Sequence, residues 1–479
     1  MLMSIMRCPS SVLHRVGATL LICSTLLFGC SRPPPNVIFI LVDTLRADRL
    51  GAYANPHGLT PFLDSLAARS FVFRNAYTQA PWTNPSIATL FTSRFPLQHG
   101  IDSFASVLQD QEVTLAETLR AHGYDTTAFL ANNLMGDRGF GQGFDVFETL
   151  FTEGDFTRGA RPKVRAGALN DRTLQWLDAR PAGAGRPLLL YLHYMEPHSP
   201  YAPPQALRDQ VADGRQPPDI KIVNSLAILA GGWRLEEYKL REIMEVYDAE
   251  VLSLDGELRR LFAELERRGV LRNAIVVFTA DHGEAFQEHG FGGHGKVLYD
   301  EVLRVPLIVS VPGLSTRVDV DRPVSLIDVA PTLLDWLGIE RPPSFEGPSL
   351  KPLMLETWPG WLQPLRARWY SSAAEPLPIL SERAGLPPRV DGPHIEHQRS
   401  LVLGTQKFIA GANGAAEFYD LAADPGEGNS SALAEADRAR LRRALGELVA
   451  HTAMSAAARH VQPIDEETRE RMRALGYQE

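Results

Sequence analysis

Four short apolar runs in this sequence lead into groups that can bind a cation or move a proton. Residues 37–42 (VIFILV) precede Asp43, and residues 126–130 precede Asn132 and Asn133. Residues 187–192 run into His193 and His198, and residues 274–278 lead to Asp281, His282 and Glu284. Any one of these groups alone reads as a capped strand end or a solvated loop. Carboxylates and imidazoles at several strand ends together point to one site, because carboxylates brought close repel unless a cation lies between them. Oxygen and imidazole donors suit one divalent ion, Ca²⁺, Mg²⁺, Mn²⁺ or Zn²⁺, with the histidine weighing against Ca²⁺.

A fifth stretch, Thr83-Asn84-Pro85-Ser86, offers hydroxyls. Pro85 suits the first turn of a helix over 85–93. Thr83 or Asn84 then reads as its N-cap. The same helix end is also a ready anion site, since its free N–H groups and dipole favour a sulfate or phosphate. A dication beside it would lower the pKa of the Thr83 hydroxyl and make it a nucleophile.

The elements that must position these groups follow from the periodicity. The runs at 37–42, 126–130, 187–192, 274–278 and 307–311 are nearly continuous aliphatic sequence, as in strands buried on both faces of a mainly parallel sheet. Helix-like segments at 59–68, 115–122 and 235–268 alternate with them, which reads as a doubly wound α/β domain. Ligands of such sheets bind beyond the carboxyl ends of the strands. Residues 199–232 are rich in Pro and Gly without periodicity and read as a long loop or lid. A Pro-rich boundary falls near 352–378. After it, 400–410 and 417–421 read as strands of a small antiparallel sheet, and 433–452 as an amphipathic helix.

A chain of 479 residues, 44% apolar and 22% charged, is globular and too long for one ordinary core. Its net charge of −9 argues against a nucleic-acid partner, because phosphate backbones reward excess Lys and Arg. Residues 1–29 read as a targeting segment, with Arg7 and Arg15 ahead of an apolar run at 16–29 that is too short to span a bilayer comfortably. Leu27-Phe28-Gly29-Cys30 followed by Ser31 and three prolines is similar to a bacterial lipoprotein signal. That similarity implies acylation of Cys30, a tether at 30–35 and lipid anchoring in the cell envelope. The other readings are a signal cut elsewhere and an uncleaved anchor. All three cysteines (Cys8, Cys23, Cys30) lie in this segment, so the body has neither a disulfide nor a cysteine metal ligand.

Residues 36–51 (NVIFILVDTLRADRLG), 83–100 (TNPSIATLFTSRFPLQHG), 194–201 (YMEPHSPY) and 281–290 (DHGEAFQEHG) resemble the successive signatures of the sulfatase family, in family order. Residues 324–338 and 401–428 resemble its later segments. The resemblance implies an alkaline-phosphatase-like fold, with a catalytic domain at 36–365 and a smaller C-terminal α+β subdomain at 366–479. It implies metal-dependent attack on a sulfate or phosphate ester of a small molecule or glycan. Asp43, Asp281 and His282 match metal ligands, and Thr83 stands where the family has the Cys or Ser that becomes formylglycine. Thr83 is thus both the expected nucleophile and a fourth ligand. His198 matches a histidine that contacts the ester, and His294 falls where a family lysine would be, which makes these two the candidate acids. Asn132, His193 and Lys296 are the candidate substrate contacts. Asp48, Arg94 and His99 fit the pattern as structural residues.

The departures matter equally. The second Asp is Thr44, the motif arginine is Ile87, and threonine cannot yield the aldehyde. Thr with one Asp and an Asp-His pair also resembles the lipoteichoic-acid synthase and phosphoethanolamine transferase branch, which implies phosphodiester cleavage or phosphoryl transfer. A binding protein that kept the fold and lost turnover is the third reading.

Overall fold

A computed structural model describes residues 33–479 except 133–134, 137, 151–162, 181–184, 230–233, 358–376, 385–396, 431–432, 457–459 and 475–479. The targeting segment with Cys30, Asn133 and the boundary at 365 lie outside the described residues.

The aliphatic runs form the centre of a nine-stranded sheet. In chain order its main strands are β1 (Asn36–Val42), β2 (Phe71–Tyr77), β3 (Asp125–Leu130), β4 (Val146–Thr149), β5 (Leu188–Tyr194) and β6 (Ala274–Ala280). A two-stranded hairpin, β7 (Ala285–Phe286) and β8 (Gly292–Gly293), precedes β9 (Arg304–Ser310), β10 (Val318–Val320) and β11 (Val324–Ser325). The order across the sheet is β10-β2-β9-β6-β1-β5-β3-β4, with β11 also on β2. From β6 to β4 all pairings are parallel. β9 runs antiparallel to both β6 and β2, so the sheet is mixed with a parallel majority. β2 was not among the expected strands, because Arg74 and Asn75 interrupt its apolar run where the register with β9 shifts.

Helices cover both faces, as strands without a polar face require. They are α1 (Pro61–Ala67), α2 (Thr83–Thr92), α3 (Leu115–Ala121), α4 (Ala166–Ala179), α5 (Gln205–Ala212), α6 (Ile220–Leu229), α7 (Glu237–Arg267) and α8 (Val329–Leu337). Tyr191 of β5 meets Phe91 of α2 edge-on at 5.1 Å, whereas Tyr194 reaches Asn170 of α4 with its hydroxyl at 2.6 Å. The two tyrosines thus mark opposite faces of one strand. The 31-residue α7 buries Val246, Val251, Leu254 and Leu258, and its Asp255 accepts the N–H groups of Phe62 and Leu63, both at 2.9 Å, at the start of α1.

The stretch at 199–232 corrects the loop expectation, since it holds α5 and α6. Its prolines sit ahead of these helices rather than inside them. Pro204 is the N-cap of α5, and Pro217-Pro218 precede α6. Proline there delimits a helix without breaking it.

The C-terminal part is a four-stranded antiparallel sheet, β12 (Ile379–Arg383), β13 (Gln398–Leu403), β14 (Gln406–Gly411) and β15 (Ala416–Asp420), with helix α9 (Glu435–Met454) against it. It braces the segment that leads into α2. Ser381 donates to the Thr78 carbonyl at 2.6 Å, and Glu382 N–H donates to the Gln79 carbonyl at 2.8 Å. Fully buried Lys407 of β14 pairs with Asp300 and Glu427, both at 2.7 Å. Removing that ammonium would strand two carboxylates, a loss of about 3–5 kcal/mol for a buried pair.

Candidate active site and metal centre

The groups picked out in sequence converge beyond the carboxyl ends of β1, β5 and β6. These three strands are adjacent in parallel register, Val42 opposite Tyr194 and Ala280, so the residues that follow them emerge side by side. Asp43, Asp281 and His282 are fully buried, and one ligand atom of each lies within 4.8 Å of the others. His282 Nδ1 donates to the Gly283 carbonyl at 2.9 Å, which leaves the Nε2 lone pair facing inward. That nitrogen stands 3.6 Å from Asp43 Oδ1, 3.5 Å from Asp281 Oδ2 and 3.3 Å from Thr83 Oγ1.

This arrangement fits a divalent ion. Asp43 Oδ1 and Asp281 Oδ2 are buried without hydrogen-bond partners, and both approach a lone pair instead of a donor. Burial and the neighbouring Asp43 charge push the Asp281 carboxyl well above the usual carboxylate range. Only a positive charge among these atoms lets both carboxylates stay ionised. The remaining Asp281 oxygen is fixed by the backbone N–H groups of His282 at 2.9 Å and Thr44 at 3.3 Å.

Local backbone accounts for the aim. Thr44 has φ 58°, a strained value for a β-branched residue. Tyr247 holds it there by donating to the Thr44 carbonyl at 2.7 Å while accepting the Arg46 N–H at 3.0 Å. After the Asp281-His282 pair, Gly283 passes so close to the backbone of Glu301 that an added Cβ would lie 2.2 Å from its carbonyl oxygen.

Helix α2 starts two residues earlier than the expected 85–93. Trp82 is its N-cap, with no side-chain cap, so neither Thr83 nor Asn84 serves as a cap. Thr83 is 2% exposed and its hydroxyl faces His282. Ser86 ties the helix to the metal-binding loop by donating to the Asp281 carbonyl at 2.6 Å. Ile87 is buried apolar core, and no cation replaces the motif arginine on that turn.

His294 and His198 complete the cluster. The His294 ring lies 4.6 Å from His282 and 5.1 Å from His198. Glu284 accepts from His294 Nδ1 at 3.2 Å. Burial opposes charge on His294, yet the Glu284 carboxylate prevails and raises its pKa. Burial dominates at His198 and lowers it to about 4, so that imidazole is neutral at physiological pH. Its loop is held by buried Lys163, which donates to the His198 carbonyl at 2.6 Å and pairs with Glu250 at 2.9 Å.

The candidate substrate contacts divide. Asn132 donates to Asp43 Oδ2 at 3.2 Å, and His193 Nε2 lies 3.5 Å from the same oxygen, so both stand behind the ligand cluster. Lys296 donates to the Gly292 carbonyl at 3.4 Å, within the β7–β8 hairpin segment. Asp48, Arg94 and His99 sit in structural contacts, with Arg46, Glu112 and Thr89. Glu284, named in sequence at the end of its strand, takes its place as the partner of His294. Lys163 enters the site without having been singled out, because its partners, the His198 carbonyl and Glu250, lie far off in sequence.

Comparisons with known proteins agree with this fold. An ulvan-active sulfatase of Formosa agariphila is 28% identical over 342 residues, covering 67% of this chain and 65% of that protein, so the chain spans slightly under two thirds of its length. Among solved structures, one bound to its substrate D-glucosamine-2-N,6-O-disulfate superposes with TM-score 0.68 at 22% identity, covering 88% of this chain and 98% of the other. The phosphonate monoester hydrolase of Silicibacter pomeroyi superposes with TM-score 0.67 at 22% identity, covering 88% and 96%. The family model described as Sulfatase matches residues 35–339, a span that begins just before β1 and takes in every strand end contributing to the cluster. With its mixed sheet and its C-terminal antiparallel sheet, the chain belongs to the sulfatase family.

Proposed function

We propose that this chain is a metal-dependent ester hydrolase that cleaves a sulfate ester, or a phosphate or phosphonate ester in the same site, with Thr83 as the attacking group. The observation that carries this reading is the Thr83 hydroxyl, 3.3 Å from His282 Nε2 within the cluster of Asp43 and Asp281. A divalent ion held by Asp43, Asp281, His282 and the Thr83 oxygen would supply positive charge against the ester oxygens and lower the hydroxyl pKa. The helix end beneath Thr83 favours the same anion. Thr83 gives up its hydroxyl proton to solvent as its oxygen joins sulfur or phosphorus, and the bond to the leaving oxygen breaks. His294, whose Nδ1 donates to Glu284 and whose pKa that carboxylate raises, gives that oxygen its proton. Neutral His198 lies beside it and orients the departing group. Water then cleaves the threonine ester. A threonine ester lacks the exit that an aldehyde hydrate provides, which favours phosphorus, whereas family membership favours sulfur.

A sulfated or phosphorylated glycan is the substrate class this reading favours, in keeping with the sulfated glucosamine bound by one structural relative. Initial rates on nitrophenyl sulfate, nitrophenyl phosphate, bis(nitrophenyl) phosphate and nitrophenyl phenylphosphonate, each with Mg²⁺, Mn²⁺, Ca²⁺ or Zn²⁺, decide it. Metal-dependent turnover of at least one ester is expected. A folded, metal-loaded protein inert toward all four would leave the binding-protein reading in its place.

The same reading sets this activity at a membrane surface through acylated Cys30. Among the described residues no helix is long and apolar enough to cross a membrane. Cys30→Ala should abolish incorporation of labelled fatty acid and leave the precursor uncleaved by the lipoprotein peptidase. Label retained on the Cys30→Ala protein would sink the anchor.

A further inference from the structure

The C-terminal sheet holds a buried carboxylate beside a cavity, and the catalysis described above uses neither. Glu382 of β12 is 6% exposed. Its Oε1 accepts from Arg399 Nε at 2.8 Å, whereas its buried Oε2 has no hydrogen-bond partner among the described residues. Buried acceptors in native proteins are nearly always satisfied, by the protein or by something bound to it.

Strand geometry fixes where this carboxylate looks. Alternate residues of a strand share a face, so Glu382 lies on the face of Leu380, and its cross-strand partner Arg399 on the face of Leu401. Leu380 and Leu401 pack with Phe95 in one core. Glu382 therefore faces the chain that continues from Phe95, and a cavity of about 70 Å³ lies between them, lined by Glu382, Leu97 and Ile101. Ser381, on the opposite face, turns to the Thr78 carbonyl instead. One water needs about 10–15 Å³, so the space exceeds what a single bridging water would fill.

The remaining wall ties the cavity to the reaction. Trp82 and Pro85, on either side of Thr83 at the start of α2, line it as well. Trp82 also borders the His294 segment, since the Gly295 N–H donates to the Pro81 carbonyl at 2.8 Å. Indole, proline and aliphatic side chains thus face an acceptor that lacks a donor. The second acid of the wall, Asp102, already accepts from Ser106 Oγ at 3.1 Å. An apolar platform opposite one acceptor suits a molecule with a C–H face and a hydroxyl edge, which is a sugar ring. The two carboxylates disfavour an anionic group in the same space.

We infer that this cavity is a subsite for a neutral sugar ring, the one that departs with the ester oxygen, seated on Trp82 with a hydroxyl donating to Glu382 Oε2. The inference rests on the proposed function and deepens it, because it makes Glu382 a specificity-determining residue for the leaving group. The metal cluster and Thr83 then handle the charged ester, and the C-terminal sheet reads the sugar.

The test is saturation-transfer NMR on the full chain loaded with Mn²⁺, with the methyl glycosides of glucose, galactose, mannose and N-acetylglucosamine. These probes carry no ester, so the result stands whether or not the chain turns over. Wild type should bind at least one of them, with the strongest saturation at ring C–H protons. Glu382→Gln should weaken that binding about tenfold or more, as expected for loss of a hydrogen bond to a charged group. Leu97→Trp, which fills the cavity from its wall and removes no side-chain hydrogen bond, should abolish it. Melting temperature and metal content, measured on each variant, establish that it is folded. If the chain hydrolyses no ester, the hydrolase reading fails while glycoside binding still decides the subsite. A wild-type chain that binds none of the four glycosides would overturn it. So would a folded Leu97→Trp or Glu382→Gln protein that binds them as wild type does.

Discussion

Thr83→Ala should lower kcat by about 10³-fold or more while leaving the fold intact, the scale of loss when a covalent route is removed. The size of the effect follows from position. The hydroxyl is buried and 3.3 Å from a nitrogen of the ligand cluster, and no other hydroxyl of the first turn faces that nitrogen. Ser86, one turn on, is already spent on the Asp281 carbonyl and Thr78. The stability cost should be small. An N-cap threonine replaced by alanine costs about 1 kcal/mol, but here Trp82 is the cap and Thr83 caps nothing. Thr83→Ser should retain part of the rate, because a hydroxyl stays in place. Mass spectrometry should find unmodified threonine at this position, with or without a co-expressed formylglycine-generating enzyme. Normal kcat in a Thr83→Ala protein would end the nucleophile assignment and leave water as the attacking group.

The second large effect concerns the metal. Purified protein should carry about one divalent ion, as a single cluster of this kind implies. Asp43→Ala or Asp281→Ala should each reduce that occupancy severalfold and remove turnover. The melting behaviour should be the more telling measurement. In metal-free wild type, two buried carboxylates face each other with orphaned oxygens. Removing Asp281 relieves the repulsion but strands the His282 and Thr44 N–H groups that it accepts, so metal-free Asp281→Ala should melt no higher than metal-free wild type. Adding metal at about 100 times its dissociation constant should stabilise wild type by about 2.7 kcal/mol and leave the variant unmoved. Unchanged metal content in both alanine variants would mean that the ion binds elsewhere.

Much of this site was legible in the sequence because the strands that carry it are so apolar. A run such as Val37-Ile38-Phe39-Ile40-Leu41-Val42 has no polar face, so it had to lie inside a parallel sheet with the next polar residue, Asp43, at its carboxyl edge. The same reasoning put His193, Asp281 and His282 at that edge. Periodicity also showed α7, the small C-terminal sheet and α9, since each buries one face of a regular element. It failed at β2, where polar Arg74 and Asn75 sit at a register shift, and at α5 and α6, where prolines ahead of the helices resembled the punctuation of a loop.

Residue types and spacing determined which chemistry was open to this chain: two carboxylates, a histidine and a hydroxyl, with neither a cysteine nor the motif arginine near the hydroxyl. Tertiary structure alone decided what each group faces. Thr83 became a first-turn residue rather than a cap because the chain enters the helix at Trp82, and one residue turns a helical side chain by about 100°. Asn132 and His193 came to rest behind Asp43 because the parallel register of β1, β3 and β5 brings their ends level. The pKa of His294 rises and that of His198 falls because Glu284 hydrogen-bonds His294 across the β7–β8 hairpin, whereas burial dominates at His198. A hydrogen bond or charge acting over a few ångströms sets such roles, and chain order carries no record of distances that short.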